Sequence, residues 1–493
     1  MPPWKAEPES GEFVGQHPLT DAQIETIQRW VDSGTPEGNP RDVPAPPKLT
    51  EGWVVGQPDL IVDFPEAYTL QADGTDVFRI FVLRLPLSAA RYVRGLEFRP
   101  GNPKVVHHAN IRLDRTPGSR ERDAADPAPG YDGLLARSAG YPDGHFLGWT
   151  PGQVVPLLQP ELAWRLEPNT DLVIQLHMQP SGKPEVVRPT VGLFFASEDA
   201  RDVGTRTPAI LRLGDQGIDI PAGAPSYAIN DSYVLPVDVD VLAVQPHAHY
   251  RAREIQGFAT LPDGTRKWLI HIKDWDFRWQ HVYRLAEPMR LPRGTTLAMQ
   301  FTYDNSDGNA RNPERPPQRA RWGQRSRDEM GDLWLQVQTR DTRDLATLTR
   351  EVRRKMDVED TVGFETMIGV HPDDADLHDG AAVLYLELGQ ADRAVNHFDA
   401  SLRLRPGSAA AYFNLGTALA VAGRLEPSIE AFRRALQIRP DYSRAHNNLG
   451  NVLAVQGHVD EAIRHFQEAL RLDPDNAEAR VSLARELRRK QGR

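Results

Sequence analysis

Five histidines carry the chemistry this sequence can perform. His107 and His108 are adjacent in VVHHANIRL, His177 closes DLVIQLH, and His247 and His249 form His-x-His in VQPHAHY. Each group lies in a stretch with strand-like patterning. Residues two apart in a strand project to the same face, so His247 and His249 can close on one ion. Adjacent residues point to opposite faces, so His107 and His108 can share an ion only near a bulge or twist. The chain has no cysteine, which removes disulfides, thiolate ligands and haem attachment through Cys-x-x-Cys-His. Any metal must be held by His, Met or carboxylate, and a His-rich set suits copper, zinc or iron. Composition does not choose among them, and the competing reading of any one of these residues is an ordinary, partly buried imidazole.

Met330 lies between acids in DEMGDLWLQV. A methionine is most often a core filler. Its thioether is also a ligand that hard ions disfavour and Cu(I) accepts.

The elements that must position these groups follow from the rest of the chain. Its 493 residues provide for two to four domains. Lys and Arg number 58 against 68 Asp and Glu, a net charge of −10, which lacks the positive footprint of a nucleic-acid binder. No apolar run is long enough for a membrane span, and the first residues have no signal-peptide core. LTDAQIETIQRWVD reads as a short amphipathic helix with Thr20 as N-cap and Ile24, Ile27, Trp30 and Val31 as its apolar stripe. A Pro-rich linker follows from Pro36 to Pro47.

From Trp53 to Val337 short strands recur between turn residues; Val77–Leu85, Val105–Leu113, Asp171–His177, Tyr233–Gln245, Trp268–Ile272 and Thr296–Tyr303 are examples. This pattern predicts two tandem antiparallel β-sandwiches of jelly-roll type, over 48–198 and 199–340. Residues 341–493 are periodic. Pro372, Pro406, Pro440 and Pro474 recur every 34 residues, as do Phe364, Phe398, Phe432 and Phe466, and also Gly389, Gly423 and Gly457. That is the tetratricopeptide signature, an α-helical solenoid with a groove for a protein or peptide segment. A degenerate first copy has Lys355 at the glycine position, and 475–490 form a capping helix. Asn414, Asn447 and Asn448 are candidates for the groove, although a solvated face would accommodate them equally well.

The ordered set HH, QLH, HAH and DEM, with YDNSDGNARNP before the last, resembles the copper type II ascorbate-dependent monooxygenases over about residues 50–340. The family includes peptidylglycine alpha-hydroxylating and dopamine beta-monooxygenases. The resemblance implies two coppers, one on each of two sandwiches facing across a solvent-filled cleft. It assigns His107, His108 and His177 to a site that relays an electron, and His247, His249 and Met330 to a site that binds and reduces O2. Ascorbate is the family's reductant, and the reaction places a hydroxyl on a substrate C–H carbon and releases water. Gln175 falls where the family has a glutamine near the relay copper.

Departures bear on the substrate. Where the peptide-hydroxylating branch has an arginine two residues before His-x-His, this chain has Gln245, so a bidentate carboxylate clamp is missing. Asp332 and Trp334 are expected to line the substrate pocket beyond Met330; the plainer alternative is a solvated acid and a core aromatic. His145, His271 and His281 are expected to be structural, and Trp268, Trp275, Phe277 and Trp279 to pack the second sandwich.

Residues 1–47 resemble the tail of a class I cytochrome c domain, with Met1 at the place of a distal haem ligand. That resemblance implies an upstream segment carrying the haem attachment site and an export signal, with haem-delivered electrons beside or in place of ascorbate. Two further functions stay open at this stage. One is an inactive scaffold acting through the repeats. The other is a zinc hydrolase, against which no glutamate neighbours the histidines in a zincin arrangement. Copper chemistry favours an extracytoplasmic location.

Overall fold

The structure is a computed structural model. It describes residues 5–15, 19–42, 52–74, 76–133, 135–136, 138–142, 144–151, 157–197, 202–323 and 325–492. Met1 and residues 43–47 of the Pro-rich linker lie outside them. Two compact units emerge: Met1–Asp215, Ile220–Ala320 and Gln324–Val352 form one, and Gln216–Asp219, Arg321–Gly323 and Arg353–Arg493 the other.

The first unit is built of antiparallel sheets in two sets. In the first set, Leu60–Asp63, Thr190–Phe195, Arg91–Arg99 and Trp164–Leu166 form one sheet, in that order. The other has Val77–Arg84, Asp171–Met178 and Val106–Asp114 in order, with Ala139–Gly140 and Gly148–Trp149 both pairing with the last. Phe81, Leu83, Ile111 and Ile174 from this sheet join Val93, Leu96, Phe98 and Leu193 from its neighbour in one buried cluster. Removing such side chains from water stabilises the fold by about 1.5–3 kcal/mol each. Asp171–Met178 is buried along its whole length, so His177 at its end is enclosed.

The second set pairs Ala209–Gly214, Gly331–Thr339, Val239–Ala248 and Tyr283–Leu291 in one sheet. Tyr227–Val234, Thr296–Tyr303, Ala252–Thr260 and Arg266–Ile272 make the other. The two sheets meet closely: a Cβ on Gly257 would lie 2.5 Å from Leu333 Cδ2. The sequence reads Tyr233–Gln245 as one strand, but two strands form, Tyr227–Val234 and Val239–Ala248. Pro236 sits in the break and supplies no ladder N–H.

Residues 5–14 lie along this second set. Glu7 N donates to the His271 carbonyl and Val14 N to the Arg284 carbonyl, each at 2.8 Å, and Phe13 is buried with its ring 5.4 Å from Tyr283. Thr20 caps the helix Asp21–Asp32 in a full capping box with Gln23. The predicted apolar stripe is exposed, with Trp30 at 50% and Val31 at 53%. No residue of this helix is buried on any face.

The second unit is helical. Ala375–Glu387 pairs with Ala391–Leu404, Ala409–Val421 with Leu425–Ile438, and Ser443–Val455 with Val459–Leu472, before a final helix Ala477–Lys490. Gly389, Gly423 and Gly457 turn the chain within each pair at φ of 74°, 75° and 86°, where an L side chain is strained. Lys355 occupies the equivalent position of the degenerate copy. It does not make the turn, and Thr342–Val370 runs on as one 29-residue helix. The periodic phenylalanines lie against small residues of the first helix of each pair: a Cβ on Gly416 would meet Phe432 Cδ1 at 2.8 Å.

Gly416→Ala is therefore expected to destabilise the helical unit by about 1–3 kcal/mol through overpacking. Gly407→Ala, where an added Cβ meets nothing within 4 Å, should leave the denaturation midpoint nearly unchanged. Equal midpoints for the two variants would contradict this packing account.

Candidate metal centre

The strand pair Val106–Asp114 and Asp171–Met178 brings three imidazoles together. Its register runs Val106 opposite Met178 and then His108 opposite His177, so His107 is the extra residue of a β-bulge. The bulge turns His107 toward its neighbour. His107 Nδ1 and His177 Nδ1 each lie 3.3 Å from His108 Nδ1. All three ligand atoms fall within 4.8 Å of one another, and among the described residues this is the one cluster of three or more His, Asp or Glu groups with metal-site geometry.

The opposite edge of His177 is tethered. Its Nε2 lies 2.9 Å from Asp76 Oδ2 and 3.1 Å from Ser326 Oγ. A carboxylate accepts only, so Nε2 carries the proton and Nδ1 presents its lone pair to the cluster. Burial holds His107 down at about 4 and His108 well below the usual imidazole range, so both are neutral at physiological pH. Two nitrogens on one ion at about 2.0–2.1 Å in tetrahedral geometry stand about 3.3–3.4 Å apart. Both spacings to His108 fit, and with all three groups within 4.8 Å of one another this donor set can hold a late transition ion.

His247 and His249 are oriented the other way. His247 Nδ1 donates to Gln280 Oε1, and Gln280 Nε2 is itself tied to the Phe277 carbonyl at 2.9 Å. His249 Nδ1 donates to the Asp328 carbonyl at 3.1 Å. Both rings therefore present Nε2. Burial lowers His247 to about 4 and His249 well below the ordinary value. Met330 directly precedes Gly331, which pairs with Ala248. The register thus sets Met330 beside His249 on the neighbouring strand.

A buried network holds that junction. Glu329 accepts from His249 N at 2.5 Å, Arg251 N at 3.0 Å and Met330 N at 3.1 Å. Burial pushes its carboxyl up to about 7 against these hydrogen bonds. The fully buried Arg251 guanidinium reaches Asn305 Oδ1, the Arg327 carbonyl and Glu314 Oε2. Asn312 Nδ2 also donates to Asn305 Oδ1, at 2.9 Å, and Tyr303 OH donates to the Met330 carbonyl at 2.8 Å. The segment YDNSDGNARNP is thus a scaffold that fixes the backbone on both sides of His249.

Phe277 stands between the two histidine groups. Its buried ring stacks on His107 at 4.9 Å and 18°, and meets His249 edge-on at 5.4 Å and Tyr250 at 4.4 Å. Phe277 thus contacts histidines of both groups.

The remaining predicted site residues have definite places. Gln175, opposite Asn110, is two pairs along from His177 and so on the same face, and accepts from Asn110 Nδ2 at 3.5 Å. Gln245 pairs with Trp334, and His247 with Asp332. Asp332 is buried with Arg212 Nε at 3.9 Å, and Trp334 meets Tyr141 and the Arg212 guanidinium. Asp332 is therefore not a solvated acid.

His271 bridges Glu9 and Glu254, His145 Nδ1 lies 3.1 Å from the Pro142 carbonyl, and His281 packs on Trp279, which are structural roles as expected. In the repeats, Asn447 Nδ2 reaches Asn448 Oδ1 and Asn448 Nδ2 reaches Thr417 Oγ1, while Asn414 is half-buried. The sequence reading missed Asp76, Phe277, Gln280, Ser326 and Glu329 as supports. Only Glu329, next to Met330, carried a local signal.

Family models for the tetratricopeptide repeat match residues 380–443 and 443–476. The C-terminal region therefore consists of tetratricopeptide repeats. No curated protein matches the chain. Among solved structures, a crystal structure of MamA is 20% identical, covering 29% of this chain and 84% of that one with a TM-score of 0.27. The first TPR of Spaghetti (RPAP3) bound to HSP90 peptide SRMEEVD is 18% identical, covering 24% and 93% at 0.24. The Arabidopsis OM64 TPR domain is 21% identical, covering 23% and 93% at 0.23.

Glu329→Ala leaves three enclosed N–H groups without their acceptor and is expected to cost about 3–5 kcal/mol. Glu329→Gln keeps one carbonyl oxygen and should cost about 1–3 kcal/mol. Urea denaturation of the two variants measures the difference, and equal losses would show that the carboxylate is not the clamp.

Proposed function

We propose that the β-unit is a copper-dependent monooxygenase that hydroxylates a substrate C–H bond with O2 and a one-electron reductant such as ascorbate. The observation that carries this reading is the convergence of the His107, His108 and His177 Nδ1 atoms at 3.3 Å spacings, beside a His-x-His pair with the opposite ring orientation. On this reading the three Nδ1 atoms hold one copper, and His247 Nε2, His249 Nε2 and the Met330 sulfur hold the other. When bound, the coppers would supply one-electron transfer and oxygen activation. The all-imidazole set suits a redox relay, and the thioether favours the Cu(I) state at the second site.

The protein's own contributions follow from its hydrogen bonds. Asp76 and Ser326 fix the tautomer of His177, Gln280 and the Asp328 carbonyl fix those of His247 and His249, and Glu329 holds the strand ends in register. Phe277 excludes water between the groups and sets their separation. With Gln245 in place of a guanidinium, the substrate is a small molecule other than a carboxylate-gripped peptide; Gln175, Asp332 and Trp334 are assigned to its surroundings. We read the two sheet sets as the tandem sandwiches of 48–198 and 199–340. The repeats of 341–493 are assigned to a protein or peptide partner, and the location is taken as extracytoplasmic.

Copper loading and oxygen electrode measurements with ascorbate test the reading. His247→Ala and His108→Ala should each lose one copper from the β-unit and abolish oxygen uptake. Asp76→Asn should weaken copper at the three-histidine site about 10–100-fold while leaving the other site loaded. A preparation that takes up zinc in preference to copper, or uptake indifferent to His247, would overturn it.

A further inference from the structure

Two histidine pairs in the helical unit play no part in this reading. His378 and His397 face each other across the helices Ala375–Glu387 and Ala391–Leu404, Nδ1 to Nδ1 at 3.1 Å. His446 and His465 do the same across Ser443–Val455 and Val459–Leu472, at 3.0 Å. The pairs lie two 34-residue periods apart, and the repeat between them has Tyr412 and Ala431 at the same positions.

The outer nitrogens decide what lies between the inner ones. His378 Nε2 is 3.1 Å from the Pro372 carbonyl, and His446 Nε2 is 3.0 Å from the Pro440 carbonyl. A carbonyl only accepts, so each Nε2 carries the proton and each Nδ1 a lone pair. His397 Nε2 lies 3.2 Å from Glu365 Oε1, which also accepts from Tyr385 OH at 2.7 Å. His397 Nδ1 is thereby left with a lone pair as well. In the His378–His397 pair two lone pairs at this distance repel unless a cation joins them; in the second pair the outer contact fixes only the His446 lone pair.

The spacing suits cis ligands: with metal–nitrogen bonds of about 2.05 Å it corresponds to an angle of about 95°. That is the geometry of tetragonal nitrogen and oxygen sites, which select Cu(II) or Ni(II). The His397 and His465 side chains are 15% and 21% exposed, so water can complete the coordination. The carboxylate–imidazole arrangement of Glu365 and His397 is the usual support of a metal-bound ring. In the other pair His465 Nε2 stands 3.9 Å from Glu461 Oε1, a looser support.

We propose that each pair is a bis-imidazole clip for a tetragonal divalent ion, pinning the two helices of the first and third repeats and passing over the second. The first clip, with the closer carboxylate, is the tighter one.

Hydrogen exchange of the full chain, with NiCl2 alone as the probe, tests this. Nickel should slow exchange at least tenfold in 375–404 and 443–472 and leave 409–438 unchanged. The double variants His378→Tyr/His397→Ala and His446→Tyr/His465→Ala copy the residues of the middle repeat, whose fold accommodates them. Each should abolish protection in its own repeat only, with helicity by circular dichroism unaltered. If either fails to fold, His397→Gln or His465→Gln serves in its place. No protection by nickel, equal protection of all three repeats, or protection that survives the substitutions would overturn the proposal; the first outcome would mean that each pair shares a proton instead.

Discussion

An imidazole taken out of water and held neutral keeps one lone pair that must be directed somewhere, and the β-unit is organised around that requirement. Burial lowers His107 and His247 to about 4 and holds His108 and His249 well below the ordinary imidazole range. Three of the rings bring their Nδ1 atoms to one small volume. Such an arrangement is unfavourable by itself and becomes favourable when a cation is shared among the donors. Specific grips hold the far side of His177, from Asp76 and Ser326, and in the second group Gln280 holds His247 and the Asp328 carbonyl holds His249.

These grips explain features that would look unrelated taken singly. The bulge at His107 gives up one regular ladder position so that two adjacent residues serve one site. A fully buried arginine is normally a liability, yet Arg251 is satisfied by Asn305, Glu314 and the Arg327 carbonyl, and its own N–H joins His249 N on Glu329. The polar loop around Asn305 and Asn312 is therefore the support that keeps the His-x-His strand end from fraying. Phe277 then fixes how near the two groups stand, by stacking on one and touching the edge of the other.

Much of this was legible in the sequence where a residue's neighbours along the chain decide its role. The N-cap at Thr20 and the 34-residue period depend on local geometry and survive unchanged, whereas of His-x-His only His247 lies on the strand, which ends at Ala248. The positive φ demanded of Gly389, Gly423 and Gly457 also made Lys355 informative, although the consequence, one continuous helix, appears only in the fold. Partners distant in sequence were not legible: Asp76 reaches His177 across 101 residues, and nothing near Phe277 or Gln280 marks them as neighbours of histidines. The break at Pro236 is legible in principle, because proline supplies no ladder N–H. The exposed stripe of Ile24, Ile27, Trp30 and Val31 marks the opposite limit, since amphipathic spacing gives a face but not what covers it.

The central claim is that His107, His108 and His177 bind one ion through their Nδ1 atoms. Anomalous diffraction at the copper edge from crystals of the copper-loaded chain tests it most directly. The account predicts a peak within about 2.0–2.1 Å of all three Nδ1 atoms, with His177 Nε2 still on Asp76. Copper bound through Nε2 of these rings, or density elsewhere with the three imidazoles splayed apart, would contradict it.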